Sequence, residues 1–230
     1  MAKIKIYLLL ILSLICTNAY AHDAIRGPVP NELISKLQSK DKIERQKAFS
    51  QLHYYMGPDV YKYLEEGIND QDLDIVRAAL GPLTHCKSRF YPRYLELIKN
   101  PNRGLRYDAA VALVRSGDKR RFQGLLDLLK DTDNQIRVYA VDCLGEIGDK
   151  TAITPLWNLY NEEKGIRVKS FIIKSLAMLK DDKIMPYLME DTKSKDSVIK
   201  YNAVTGLSYI NNDESIKLLA DLLKDGGPRP

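Results

Sequence analysis

Four basic residues stand three positions before small residues of the chain: Arg45 before Ala48, Arg106 before Ala109, Arg137 before Ala140 and Lys200 before Ala203. Arg77 and Arg167 fall within one or two places of the same column. Guanidinium groups make paired hydrogen bonds to carboxylate or phosphate, so such a column has the chemistry of an anion-binding ridge. The chain also carries its own answer to that charge. Asp41, Asp72, Asp133 and Asp196 each lie seven residues before the small residue of their own segment, where carboxylates cap free helix N–H groups as well. An internal ladder of Asp41, Arg45, Asp72, Arg106, Asp133, Arg137, Asp196 and Lys200 is therefore the expectation.

Catalytic chemistry has less to draw on. The histidines, His22, His53 and His85, are scattered, and no Cys-x2-Cys or His-Glu-x2-His spacing occurs. No catalytic residue, metal ligand or cofactor is expected. Tyrosine, by contrast, is abundant, with fourteen in the chain. It offers a large rigid contact with a polar tip and is enriched at recognition surfaces.

These residues need elements to position them, and a repeat supplies them. Six times a small or apolar residue is followed four positions later by a second apolar anchor: Ala48/Leu52, Ala79/Leu83, Ala109/Leu113, Ala140/Leu144, Ile172/Leu176 and Ala203/Leu207. The first anchors are 31, 30, 31, 32 and 31 residues apart. A fixed period of this length marks stacked repeats, each burying its apolar face against its neighbours. The clearest unit places Leu125, Leu126, Leu128 and Leu129 on a first helix, breaks at Asp131, Thr132 and Asp133, and lines a second helix with Ile136, Ala140, Val141 and Leu144. Gly145 and Gly148-Asp149 are expected to end that helix, Pro155 to open the next, and Asn211 to replace the terminal glycine in the last full unit.

The run Asp131-x-Asp133-x2-Ile136-Arg137-x2-Ala140-x3-Leu144-Gly145-x2-Gly148-Asp149, with partial copies over roughly residues 30 to 224, resembles the HEAT repeats, in particular the short HEAT-like repeats of the phycobilisome-lyase type. The resemblance implies an all-α, right-handed α-solenoid of about six helix-turn-helix repeats. It also implies that the second helices line a concave face, on which Tyr54, Arg106, Tyr107, Tyr139, Lys200 and Tyr201 are the candidate contacts. HEAT families generally carry an aspartate-arginine ladder, in agreement with the pairing above.

The N-terminus reads as a secretory signal peptide over residues 1–21: Lys3 and Lys5, an apolar run Tyr7 to Ile15 too short to span a bilayer, and an Ala19-Tyr20-Ala21 cleavage site. A linker over 22–29, a repeat array over 30–225 and a polar tail over 226–230 would follow. Without Lys3 and Lys5 the charge is about +3, with 33 basic against 30 acidic residues, so neither nucleic acid nor an anionic membrane surface is indicated as a partner. Cys86 and Cys143 fall two repeats apart, about 20 Å at normal helix spacing, whereas bridged Cα atoms lie within about 7 Å. Cys143 corresponds to Ala112, Ser175 and Gly206 of other units and is expected as a small buried residue.

These readings point to an exported, periplasmic or secreted, non-catalytic scaffold with a protein or peptide partner in the cell envelope or outside the cell, and no membrane span after cleavage. The alternative is an exported HEAT-like enzyme or ligand or chromophore carrier with a pocket in the concave face.

Overall fold

The structure is a computed structural model that describes residues 25–83 and 87–224. The proposed signal peptide, His22, His85, Cys86 and the C-terminal tail lie outside the described residues. Thirteen α-helices occur among the described residues. Six pairs run as α1 (Asn31–Leu37) and α2 (Lys42–Gln51), α3 (Pro58–Ile68) and α4 (Leu73–Leu83), α5 (Tyr91–Leu97) and α6 (Arg103–Arg115), α7 (Arg121–Leu128) and α8 (Asn134–Ile147), α9 (Ile153–Glu162) and α10 (Ile166–Met178), α11 (Met185–Asp191) and α12 (Ser197–Ile210). A single helix α13 (Asp213–Lys224) follows. Among the described residues the one β pairing is a two-residue parallel one, β1 (Ile25–Arg26) with β2 (Tyr55–Met56).

Every anchor of the repeat is buried. Leu52, Ala79, Leu83, Ala109, Leu113, Ala140, Leu144, Ile172, Leu176 and Leu207 are 0% exposed, and Ala48 and Ala203 are 1% exposed. All but Leu52 lie on second helices; Leu52 opens a short 3-10 turn, Leu52–Tyr54, after α2. Each large apolar side chain removed from water contributes about 1.5–3 kcal/mol, so the period read from the sequence is the period of the core.

The chain forms two compact units. One comprises the described residues up to Leu97 with Val111–Gly117, the other Ile98–Ala110 with the described residues from Asp118 onward. In the first unit α2 packs on α4, and Tyr94 donates to the Leu83 carbonyl from full burial. In the second, α10 packs against both α8 and α12.

Helix boundaries follow the turn chemistry, with one correction. Gly148 takes the left-handed conformation at φ 76° and closes α8, as expected, and Asn211 does so at φ 53° after α12. Gly145 does not end a helix. It lies inside α8, buried, where a Cβ would come within 3.0 Å of the Ser175 side chain on α10. Its role is close helix approach rather than a turn.

Candidate functional site

The turn between the two helices of each pair is built in the same way six times. Two residues before each second-helix N-cap, a short polar side chain accepts the N–H of the cap residue: Ser39 from Asp41, Asp70 from Asp72, Asn100 from Asn102, Asp131 from Asp133, Glu163 from Gly165 and Ser194 from Asp196. Except at Gly165, the cap side chain then accepts from the first turn of the helix, as Asp41 does from Ile43 and Glu44, Asp133 from Gln135 and Ile136, and Asp196 from Val198 and Ile199. Those N–H groups have no partner within the helix, so the caps stabilise its start.

The arginine column closes over this turn. Nη1 of Arg45, Arg106 and Arg137 each donates back to two carbonyls of its own turn: Ser39 and Lys40, Asn100 and Pro101, Asp131 and Thr132. Arg106 also reaches the following repeat, with Nε 2.7 Å from Asp131 Oδ2 and Nη2 2.9 Å from Oδ1. Arg137 reaches Glu163 at 3.0 and 2.6 Å. The ladder therefore exists with a shifted register: the carboxylates facing Arg106 and Arg137 are Asp131 and Glu163, the turn acceptors, rather than the cap aspartates. The cap aspartates take a second rung of cations from the preceding repeat. Lys42 pairs with Asp72 and Asp74, Arg103 with Asp133, and Arg167 with Asp196. Lys200, placed in the ladder by spacing, is exposed and makes no ion pair among the described residues.

The electrostatics agree with this geometry. Burial raises the Asp131 carboxyl, yet the Arg106 guanidinium and the Asp133 N–H outweigh it and hold Asp131 below the usual carboxylate range. Glu163 is held low against burial in the same way, by the Gly165 N–H and Arg137. Arg106 is only 13% exposed and its partner Asp131 4%, so Arg106 serves the ladder and presents little to a partner.

The second helices carry an open groove of 590 Å³ in the second unit. Tyr107 of α6, Val138 and Tyr139 of α8, Val168 and Phe171 of α10 and Val198 of α12 give it apolar and aromatic walls, with Asn134, Gln135, Asp142 and Arg167 as polar members of the lining. The Tyr107 and Tyr139 rings lie 5.7 Å apart, tilted at 55°. Asp142 stands at its edge, with Lys174 Nζ 2.8 Å from Oδ1 but without hydrogen-bond geometry there. Burial pushes the Asp142 carboxyl up, and Lys174 only partly offsets it. Lys174 also lies over the Phe171 ring, 4.9 Å from its centroid.

Of the six contact candidates from the sequence, Tyr107 and Tyr139 meet in this groove. Lys200 and the 68%-exposed Tyr201 are on α12 outside its lining, and Tyr54 lies in the first unit against His53. Sequence reasoning missed Phe171, Val138 and Asp142. The signal was present for Phe171, which precedes anchor Ile172 by one residue as Tyr139 precedes Ala140. Among the described residues no three His, Cys, Asp or Glu side chains stand together as a metal site. No described helix is long and apolar enough to cross a membrane.

Part of this array matches a known family. Residues 91–170 match the family of HEAT repeats. A curated protein of Geobacillus stearothermophilus, described as an uncharacterized protein in the gldA 3' region, is 29% identical over 115 residues, covering 48% of this chain and 53% of that one. The chain thus spans about half the length of the curated relative it matches. Among solved structures, the complex of CpcE and CpcF of phycocyanin lyase from Nostoc sp. PCC7120 is similar at a TM-score of 0.56 and 20% identity, covering 89% of this chain and 91% of that one. A designed armadillo repeat protein in complex with the peptide (KR)4 is similar at 0.52 and 15% identity, covering 78% and 98%. At such identities the likeness concerns the fold: an all-α repeat solenoid of the HEAT and armadillo kind.

Proposed function

We propose that this protein is an exported, non-catalytic scaffold that holds a polypeptide segment in the groove over its second helices. The repeat fold is one that serves protein interaction generally, and fold alone assigns no partner. The observation that carries the reading is the groove itself, which gathers Tyr107, Val138, Tyr139 and Phe171 beside the polar Asn134, Gln135, Asp142 and Arg167. Aromatic side chains anchor partners through large apolar area at small entropic loss. The Asp142 carboxyl, partly desolvated, gains from a donor brought by a partner. The armadillo neighbour solved with a peptide is in keeping with this use of the fold. Export rests on Lys3, Lys5, the apolar run Tyr7 to Ile15 and Ala19-Tyr20-Ala21.

The test is affinity capture from the cell-envelope fraction with the wild type and with a Tyr107→Ala, Tyr139→Ala, Phe171→Ala variant. A specific polypeptide retained by the wild type and lost by the variant is the expected result; equal recovery of every protein by both would discard the groove. Mass spectrometry of the protein recovered from its native cell should show a chain starting at His22, and an intact Met1 chain would discard export with cleavage.

A further inference from the structure

We infer that the cavity where α9 meets the turn before α11 is a saccharide site, taking a neutral pyranose ring of an oligosaccharide. The open cavity, 460 Å³, is lined by Thr154, Trp157, Asn158, Asn161, Lys183 and Tyr187. It uses none of the groove residues assigned to a polypeptide, so the two readings stand or fall separately. Four of its residues, Thr154, Trp157, Asn158 and Asn161, lie at i, i+3, i+4 and i+7 along α9 and so form one stripe. An outward helix stripe is ordinarily charged, as on α3, where Asp59, Lys62, Glu65 and Glu66 are exposed. Here it holds an indole, two amides and a hydroxyl.

The indole is held in place from two sides. Trp157 Nε1 donates to Asp181 Oδ2 at 2.7 Å, while the other oxygen of the same buried carboxylate accepts the Lys183 N–H at 2.8 Å. Tyr160 and Tyr187 then pack against Trp157 at centroid distances of 5.4 and 5.1 Å, with interplanar angles of 77° and 57°. The rings brace one another, and Lys169 Nζ already lies over the Tyr160 ring, 4.6 Å from its centroid. What remains is a fixed, half-buried aromatic platform beside amide groups.

That combination matches a sugar. A pyranose presents a patch of C–H groups that makes dispersion contact with an aromatic face. Its rim consists of hydroxyls, each both donor and acceptor. Asn158 and Asn161 are exposed and offer donors and acceptors on one side chain each, Thr154 offers a hydroxyl and Lys183 a donor. A proline-rich peptide would use the platform but bring few N–H donors for these amides, so it fits less of the lining. An apolar site with a few placed polar groups is the usual form of a small-ligand pocket.

Trp157 is the chain's single tryptophan, so its emission reports on this site alone. Titration of the intact protein with tri-N-acetylchitotriose, cellotriose and maltotriose should give a saturable emission shift with at least one of them, half-complete at about 0.1–1 mM. An Asn158→Ala, Asn161→Ala variant, altered only at exposed positions, should keep its circular dichroism and melting curve yet require at least tenfold more sugar. Glu66→Ala on α3 should titrate as the wild type. No saturable shift with any of the three sugars overturns the site, as does undiminished affinity in the double asparagine variant. A shift produced by decaproline in place of the sugars overturns it in favour of a peptide.

Discussion

One guanidinium, that of Arg106, seals its own turn through two carbonyls and grips the next repeat through both oxygens of Asp131. Removing it would leave a carboxylate that is 4% exposed without its counter-charge, and Arg106→Gln should destabilise the fold by about 2 kcal/mol at pH 7, somewhat below the range for fully buried pairs. Because the folded Asp131 and Glu163 carboxyls are held below their unfolded values of about 4, their stabilisation is present above that pH and drains away as pH falls through the depressed folded values. Urea melts from pH 7 to pH 3 should therefore fall more steeply for the wild type than for Arg106→Gln; parallel slopes would contradict the assignment of the rung. Cys143 follows the opposite sign. Burial pushes its thiol up to about 12, so the folded state keeps the proton, and stability declines as pH rises above the unfolded value of about 8.5. A disulfide reagent at pH 8 should leave native Cys143 unmodified over hours and label it promptly in denaturant, and rapid labelling of the native protein would show that the thiol is accessible.

At the scale of the helix pair, the recurrent device is close approach at a small residue. Gly67 of α3 lies where a Cβ would collide with the Phe49 ring of α2 and stand 2.9 Å from the Ala79 Cβ of α4. Gly67→Ala should lower stability by about 1–3 kcal/mol through overpacking, against the small gain in helix propensity that alanine gives elsewhere; a thermal melt at or above the wild-type midpoint would show that the helices yield. The helix pairs themselves were legible because each anchor pair is spaced by one helical turn and repeats every 30 to 32 residues, and all twelve anchors are buried. The rung partners were not. Asp131 and Asp133 are two residues apart and chemically identical, and only the folded turn decides that Asp131 faces Arg106 while Asp133 caps α8 and meets Arg103. The groove was half legible for a related reason. Tyrosine announces a contact surface by composition, whereas Phe171 and Val138 look like core residues until their column is seen to face outward together with Tyr107 and Tyr139.

Within each unit the repeats hold to their neighbours in sequence, so stability is a sum of similar local terms rather than a single core. In the second unit those terms include ionic rungs joining consecutive repeats, at Arg103 to Asp133, Arg106 to Asp131, Arg137 to Glu163 and Arg167 to Asp196. A unit stapled from repeat to repeat has a consequence for how it yields to load. Pulled from its two ends, it should peel one helix pair at a time, releasing steps of about 11 nm for some 31 extended residues, and a single rupture of the entire array would contradict the independence of the rungs. Protons supply the contrast. As the pH falls from 7 through the depressed folded values of Asp131 and Glu163, the steps attributable to their rungs should need less force, which would make these turns the ratchet teeth of the molecule under tension.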